Sequence, residues 1–127
     1  MTGKSRILVV EDNERNRKLF RLLVEGMGHE CLIAVDGEDG LLRIREDSPD
    51  LVLMDIQMPK LDGVAALARL REDPVASSIP VVAVTSHAMS GDRERLLAAG
   101  FAAYLPKPID TEEFRRTVRS LLEQRHG

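Results

Sequence analysis

Four apolar stretches of the sequence each run into side chains that can do chemistry. Two acids follow residues 7–10, one acid follows 51–54, a hydroxyl residue ends 81–85, and a lysine lies just beyond 103–105. If these stretches are neighbouring strands of a parallel sheet, their carboxyl ends meet at one edge and the side chains share one pocket. The side chains are Glu11, Asp12, Asp55, Thr85 and Lys107.

Three carboxylates in one pocket repel one another strongly. At a separation of about 4 Å and an effective dielectric of about 20, each ionised pair costs on the order of 4 kcal/mol. Protonation of one acid relieves this repulsion, and so does a bound cation; oxygen ligands suit a hard ion such as Mg²⁺. A carboxylate beside such an ion and an ammonium group is arranged for phosphoryl transfer, because both cations offset charge on the transferred group.

The elements that must position these side chains follow from the alternation of apolar stretches with segments of helical period. This alternation predicts an α/β fold in which helices cover both faces of a parallel sheet. The stretch at 30–34 mixes polar and apolar residues, so we expect it near an edge of the sheet. The predicted strands are 7–10, 30–34, 51–54, 81–85 and 103–105.

Five segments with helical spacing complete the pattern. Residues typical of helix starts are Asn13, Asp62, Ser90 and the pair Asp110 and Glu113, and residues typical of helix ends are Gly28 and Gly100. The positions expected to face the core are Leu19, Phe20, Leu23 and Met27 in the first helix, Val64, Leu67 and Leu70 in the third, and Phe114, Val118, Leu121 and Leu122 in the last; the second helix is expected to run through 41–45. Gly63 is expected to serve a turn that needs an unusual backbone conformation.

Length, composition and charge narrow the class of protein. The 127 residues fit a single domain, 1–127, and 43% apolar with 31% charged residues is typical of a folded chain rather than a disordered one. A net charge of −3 with both signs interspersed offers no basic stripe, so we expect no direct contact with nucleic acid. The absence of a long apolar stretch or signal peptide, together with a single cysteine, Cys31, predicts a cytoplasmic protein that is not in the membrane.

Several sequence segments, taken in order, resemble the receiver domains of two-component response regulators. The segments are ILVVEDN (7–13), LVLMDIQMP (51–59) with LDG (61–63), PVVAVTS (80–86), and AAG (98–100) leading to YLPKPI (104–109). The resemblance covers essentially the whole chain. It implies the CheY-like superfamily, whose α/β fold is flavodoxin-like, with a five-stranded parallel sheet in the order 2-1-3-4-5 and five helices over both faces.

The same resemblance implies roles for the pocket residues. Asp55 is expected to accept a phosphoryl group from a phosphohistidine on a histidine kinase or histidine phosphotransfer protein. Mg²⁺, or Mn²⁺, is expected to be held by Asp12, Asp55 and the backbone carbonyl of Gln57, while Glu11 acts through a bound water. Lys107 is expected to pair with Asp55 and later with the phosphoryl oxygens.

Other positions are implied in the switch that follows phosphorylation. Thr85 is expected to turn toward the phosphoryl group, and Tyr104 to swing into the space it leaves; packing of Tyr104 against the last helix is the alternative. The Lys107–Pro108 bond is cis in the family. Gln57 and His87 border the phosphoryl group in such proteins and are expected to modulate its lifetime, with an exposed loop position as the alternative for His87.

The resemblance also implies a partner surface and a mode of action. Phosphorylation is expected to re-form the surface of the fourth helix, fifth strand and fifth helix, which then meets a downstream protein effector. The residues expected on that surface, besides Tyr104, are Arg93, Arg95, Arg115 and Arg119. We expect a switch rather than an enzyme, with only intrinsic self-phosphorylation and self-dephosphorylation.

Two other classes of protein share part of this pattern. A small magnesium-dependent phosphohydrolase of the haloacid-dehalogenase type also uses an aspartate nucleophile, but it needs a second aspartate where this chain has Gln57. A flavodoxin-like cofactor binder needs a glycine-rich loop after the first strand, and this chain has none there. The segments VEDNERN (10–16) and TSHAMSGD (85–92) are similar to DivK-type receivers and to receivers of hybrid kinases. No output domain follows the fifth predicted helix in this sequence, so we expect a stand-alone receiver or an excised domain.

Overall fold

Five β-strands alternate with five α-helices in the computed structural model, which describes residues 4–57, 63–74, 76–86 and 92–126. The strands are Arg6–Val10 (β1), Glu30–Ala34 (β2), Leu51–Asp55 (β3), Val81–Thr85 (β4) and Ala103–Pro106 (β5). The helices are Glu14–Gly26 (α1), Gly37–Asp47 (α2), Gly63–Arg71 (α3), Asp92–Ala99 (α4) and Thr111–His126 (α5), and a 3₁₀ turn, Ala76–Ser78, precedes β4. Each predicted strand is confirmed to within one residue at either end.

The strands form one parallel sheet in the order β2-β1-β3-β4-β5, which confirms the expected fold. The three central strands are almost entirely apolar because helices cover both of their faces. The mixed strand β2 lies at an edge, as predicted. The register aligns the carboxyl ends of the strands by pairing Val10 with Met54, Asp55 with Val84, and Thr85 with Pro106.

Two apolar layers enclose the sheet. On one side, α1 and α5 pack through Phe20 and Phe114, whose ring centroids are 6.0 Å apart. On the other side, α2, α3 and α4 contribute Ile44, Leu67 and Leu96 to a second layer. These layers fix the sheet from both faces, so the strand ends that carry the polar side chains are held by a close-packed scaffold. None of the helices within the described residues is long and apolar enough to cross a bilayer.

The face that α1 buries differs in part from the predicted one. Phe20 and Val24, four residues apart, are buried on the sheet, whereas Leu19 is 41% exposed and Leu22 is 70% exposed. Leu23 packs at the margin of the layer. The prediction is therefore wrong for Leu19, because the buried stripe is formed by Phe20, Leu23, Val24 and Met27 and Leu19 lies beyond its edge.

Side-chain caps mark where helices begin. Asn13 Oδ1 accepts a hydrogen bond from the backbone N–H three residues further on, at 3.0 Å, which satisfies one of the free amides of α1. Asp110 Oδ1 accepts the backbone N–H of Glu113 at 3.0 Å and does the same for α5. Both predicted starts are confirmed, while the predicted starts at Asp62 and Ser90 lie outside the described residues.

Glycine is required at three positions, for two different structural reasons. Gly28 and Gly100 follow α1 and α4 with φ of 87° and 114°, a region that other residues rarely adopt, so both predicted helix ends are confirmed. Gly63 begins α3 for another reason, since a Cβ atom there would lie 2.7 Å from the Cα atom of Ile56. The predicted reason for Gly63 is therefore wrong: the position needs a close approach between segments and not a positive φ.

Candidate functional site

Three carboxylates meet at the carboxyl edge of the sheet. Glu11 and Asp12 directly follow β1 and Asp55 is the last residue of β3, and one oxygen from each lies within 4.8 Å of the others. Glu11 is only 1% exposed and Asp55 4%, whereas Asp12 faces solvent. The parallel register places β1 beside β3, which brings together residues that are more than forty positions apart in the chain. We refer to Glu11, Asp12 and Asp55 as the acidic pocket.

Lys107 supplies a positive charge to this pocket. Its Nζ atom lies 3.1 Å from Glu11 Oε1 and 3.1 Å from Asp55 Oδ2, and its side chain is 19% exposed. The end of β5 directs the side chain inward, because the Lys107 backbone N–H donates to the carbonyl of Thr85 at 2.7 Å. The Lys107–Pro108 bond is cis, as the resemblance implied. One ammonium group therefore bridges the two buried carboxylates.

Backbone groups orient the two buried carboxylates. The N–H of Gln57 donates to Asp55 Oδ1 at 2.9 Å, which leaves Oδ2 for Lys107. The N–H of Asn13 donates to Glu11 Oε2 at 3.1 Å. Arg17, in the first turns of α1, donates from Nη1 to the backbone carbonyl of Glu11 at 2.9 Å. The loop after β1 is thereby tied to α1, which fixes the direction from which Glu11 enters the pocket.

The crowding of charges changes the acid–base behaviour of the pocket. The pKa of Glu11 is raised from 4.5 to about 7, chiefly by burial; the N–H of Asn13 opposes the shift, the Asp55 carboxylate adds to it, and Lys107 opposes it. Burial alone would lower the pKa of Lys107, but the neighbouring Asp55 and Glu11 carboxylates outweigh it and the pKa is raised. The pocket is therefore short of positive charge, and a further cation would stabilise the ionised form of Glu11.

A second set of polar contacts joins the ends of β3 and β4 beside the acidic pocket. Gln57 Nε2 donates to Thr85 Oγ1 at 2.6 Å. Gln57 Oε1 accepts from both the backbone N–H and the hydroxyl of Ser86, each at 3.0 Å. Thr85 is fully buried, whereas Ser86 is exposed. Gln57 thus lies between Thr85 and the acidic pocket. Its backbone N–H donates to Asp55, and its side chain bonds to the end of β4.

A model of the response regulator receiver domain matches residues 7–119 of the chain. The chain belongs to this family. A receiver domain is a phosphoacceptor signalling switch and is broadly non-enzymatic, so the phosphohydrolase alternative is not favoured.

Curated relatives and solved structures agree with this assignment. The chain is 45% identical over 116 residues to the polar-differentiation response regulator DivK of Brucella anthropi, covering 91% of this chain and 94% of that protein. A putative response regulator from Chloroflexus aurantiacus superposes with a TM-score of 0.90 at 26% identity, covering 95% and 99% of the two chains. The receiver domain of a sensor histidine kinase from Pseudomonas aeruginosa superposes with a TM-score of 0.87 at 30% identity, over 95% and 99%, and its structure has magnesium coordinated in the active-site cleft.

The remaining positions expected to matter for this receiver lie away from the pocket. Tyr104 is half-buried on β5 and packs with the layer formed by α2, α3 and α4, on the side of the sheet opposite α5. It therefore does not pack against the last helix, which was the alternative expected for it. The arginines expected on the partner surface are all exposed on α4 and α5: Arg93, Arg95, Arg115 and Arg119. His87 lies outside the described residues.

Two polar contacts of the receiver were missed by sequence reasoning. Arg17 was not distinguished from the other basic residues of α1, since its contact with the Glu11 carbonyl depends on the direction of a long side chain. Ser86 entered only as the last residue of the segment PVVAVTS (80–86), and no periodicity or charge pattern indicated its bond to Gln57. A glutamine two residues beyond a buried strand is long enough to reach the neighbouring strand end, and this is the sequence feature that indicates such a contact.

Proposed function

We propose that Asp55 of this receiver accepts a phosphoryl group from a phosphohistidine on a histidine kinase or a histidine phosphotransfer protein. A carboxylate oxygen of Asp55 attacks phosphorus, the N–P bond of the phosphohistidine breaks, and an acyl phosphate forms while the imidazole leaves. The observation that carries the proposal is the fixed position of Asp55. Both of its oxygens are bonded, Oδ1 to the N–H of Gln57 at 2.9 Å and Oδ2 to Lys107 at 3.1 Å, although the side chain is only 4% exposed.

The acidic pocket has the ligand chemistry that Mg²⁺ prefers. Two oxygens on one Mg²⁺ ion lie at most about 4.2 Å apart, twice the usual Mg–O distance. Oxygens of Asp12 and Asp55 already lie within 4.8 Å of each other, so closure by a few tenths of an ångström suffices. We propose Asp12, Asp55 and the Gln57 backbone carbonyl as ligands, with Glu11 acting through a water. Mn²⁺ is an acceptable substitute for such oxygen ligands.

When bound, the divalent ion supplies charge neutralisation on the phosphoryl oxygens. Lys107 supplies the second positive charge, and its present bonds to Glu11 and Asp55 hold it at the position that the phosphoryl oxygens approach. Thr85, at the end of β4, is proposed to turn toward the phosphoryl group, and Tyr104 to move inward with it. Self-phosphorylation and self-dephosphorylation are proposed as the intrinsic reactions of the chain, and Gln57 and His87 as residues that set the lifetime.

Labelling of Asp55 tests the central proposal. The protein is incubated with MgCl₂ and a small phosphodonor such as acetyl phosphate, and its intact mass is measured. Wild type and the matched control Asp110→Asn, an exposed aspartate at the start of α5, should gain one phosphoryl group, and Asp55→Asn should gain none. Equal labelling of Asp55→Asn would refute the assignment, and catalytic turnover of a small phosphate ester would favour a phosphohydrolase instead.

The surface of α4, β5 and α5 is proposed to contact the downstream effector. Its support is the exposure of Arg93 and Arg95 on α4 and of Arg115 and Arg119 on α5. Once an effector is identified, alanine at the α5 positions, Arg115 and Arg119, should weaken its binding to the phosphorylated receiver. Arg69→Ala, an exposed arginine on α3, is the control. Unchanged binding after replacement of all four surface arginines would exclude this surface.

A further inference from the structure

The side chain of Gln57 connects the ends of two strands through three hydrogen bonds. Its Nε2 donates to Thr85 Oγ1 at 2.6 Å, and its Oε1 accepts from the N–H and the hydroxyl of Ser86 at 3.0 Å each. We call these three hydrogen bonds the amide bridge. The bridge runs from the residue two beyond Asp55 to β4, so it spans the side of the acidic pocket on which Thr85 lies.

The amide bridge uses chemistry that few side chains provide. A primary amide carries donors on nitrogen and an acceptor on oxygen, so one group can hold a hydroxyl on one side and a backbone N–H on the other. Glutamate has the same reach but only acceptors when ionised, and asparagine is one methylene shorter. Thr85 is 0% exposed, and the bond to Gln57 therefore lies where water cannot readily replace it.

We propose that the Gln57 side chain is a positioning residue that holds Thr85 and Ser86 in their resting arrangement and thereby opposes the switch to the phosphorylated arrangement. The inference rests on the proposed function, in which Thr85 turns toward the phosphoryl group. A hydroxyl held at 2.6 Å by Nε2, with the next residue held at two points by Oε1, cannot make that turn without loss of bridge contacts. The bridge therefore stabilises one of the two states selectively, which is the condition for shifting an equilibrium.

The expected effect follows from the number and kind of bonds. A net hydrogen bond shifts an equilibrium by a few-fold to about tenfold, and the residual solvent access of Ser86 keeps the whole bridge near that range. If the switched state is a minor one, a ligand specific for it binds more tightly in proportion to the population gained. Removal of the bridge should therefore tighten binding of a phosphoryl analogue about threefold to tenfold.

The test compares the full chain with Gln57→Met, a side chain of similar length that cannot form the bridge. The probe is beryllium fluoride with Mg²⁺, a non-covalent phosphoryl analogue, and binding is followed by the amide resonances of Ala83 and Ser86. Gln57→Met should bind the analogue about threefold to tenfold more tightly. Its gain should exceed any change in Mg²⁺ affinity measured without the analogue, because the proposed metal contact of Gln57 is its backbone carbonyl.

Three comparisons separate this role from a merely structural one. Ser86→Ala removes only the hydroxyl contact and should produce a smaller gain than Gln57→Met. Gln124→Met, an exposed glutamine on α5, should produce none. In a Thr85→Val background the effect of Gln57→Met should shrink, because the bond at 2.6 Å is already absent.

The outcomes that overturn the inference differ from those that overturn the proposed function. Unchanged analogue affinity in Gln57→Met overturns the positioning role, and weaker affinity does so too, since the side chain would then serve the switched state. The Ser86 amide hydrogen should also exchange faster in Gln57→Met without any ligand, and unchanged exchange would show that the bridge does not hold β4. Failure of wild type itself to bind the analogue overturns the proposed function and this inference with it.

Discussion

The buried carboxyl of Glu11 makes the stability of the metal-free receiver depend on pH in an unusual direction. Its pKa is raised by burial, and further by Asp55, from 4.5 to about 7, so between those values the folded protein binds more protons than the unfolded chain. Stability is therefore greatest at the acidic end of this window and is lost as the pH rises through it. Most buried carboxylates that pair with cations have the opposite effect.

The magnitude follows from the two pKa values. At about 1.4 kcal/mol per pKa unit, the difference between 4.5 and about 7 corresponds to about 3 kcal/mol, most of which falls between pH 5 and pH 8. Glu11 is only 1% exposed, so little solvent reaches its carboxyl to weaken the effect. The effect is large beside a typical domain stability of about 5–15 kcal/mol.

Urea unfolding followed by circular dichroism, with a chelator present, measures this effect. The free energy of unfolding of wild type minus that of Glu11→Gln should fall by about 2 to 3 kcal/mol from pH 5 to pH 8. The same difference taken with Glu123→Gln, an exposed carboxyl on α5, should stay flat and serves as the control. Mg²⁺ should then stabilise wild type more at pH 8 than at pH 6, because its ligands bind in the deprotonated form. If the difference in free energy of unfolding between wild type and Glu11→Gln does not change with pH, the raised pKa of Glu11 is refuted.

The same urea assay checks three further substitutions. Gly63→Ala should lower the free energy of unfolding by about 1 to 3 kcal/mol, because the new Cβ would lie 2.7 Å from the backbone of Ile56. Gly26→Ala, with no atom within 4 Å, should be neutral or stabilise the protein. Equal losses in the two variants would contradict the packing argument. Asn13→Ala should lower the free energy of unfolding by about 1 kcal/mol, because α1 loses its N-terminal cap. Unchanged stability would show that water satisfies the free amides of α1 equally well. Lys107→Met should lower the free energy of unfolding by about 3 kcal/mol without metal, since two buried carboxylates lose their shared cation. Added Mg²⁺ should restore part of this loss. A variant as stable as wild type would mean that the ion pairs of Lys107 contribute nothing to stability.

The sheet and the membership of the pocket could be predicted from the sequence because both follow from strand ends. A short apolar stretch between helical segments favours a buried parallel strand, and the change from apolar to polar residues marks its end. Asp55 and Lys107 lie at such points. Once the strands are parallel and adjacent, residues that are distant in the chain have to meet at one edge, whatever the details of the helices.

The direction of individual side chains could not be predicted in the same way. Apolar residues recur in α1 from Leu19 to Met27, so the pattern defines the buried face only to within about one neighbouring position. That is why Leu19 was expected inside and Val24 was not, although Leu19 is 41% exposed and Val24 is buried. The side chains of Arg17 and Gln57 depend on which acceptors surround them in the folded state, and a linear pattern carries no information on those neighbours.

The charge balance of the pocket implies an order for the events at Asp55. Three carboxylates face one ammonium group, so the metal-free pocket lacks two positive charges when all are ionised. A phosphodonor is itself an anion, and each pair of like charges about 4 Å apart opposes its approach by on the order of 4 kcal/mol at a dielectric of about 20. A divalent ion removes this deficit, and conversion of Asp55 to an acyl phosphate then adds only one further negative charge, which faces Lys107. We therefore expect the ion to bind before the phosphodonor, so that the initial labelling rate at a fixed donor concentration saturates with Mg²⁺. A labelling rate that does not depend on Mg²⁺ would show that Lys107 alone offsets the charge.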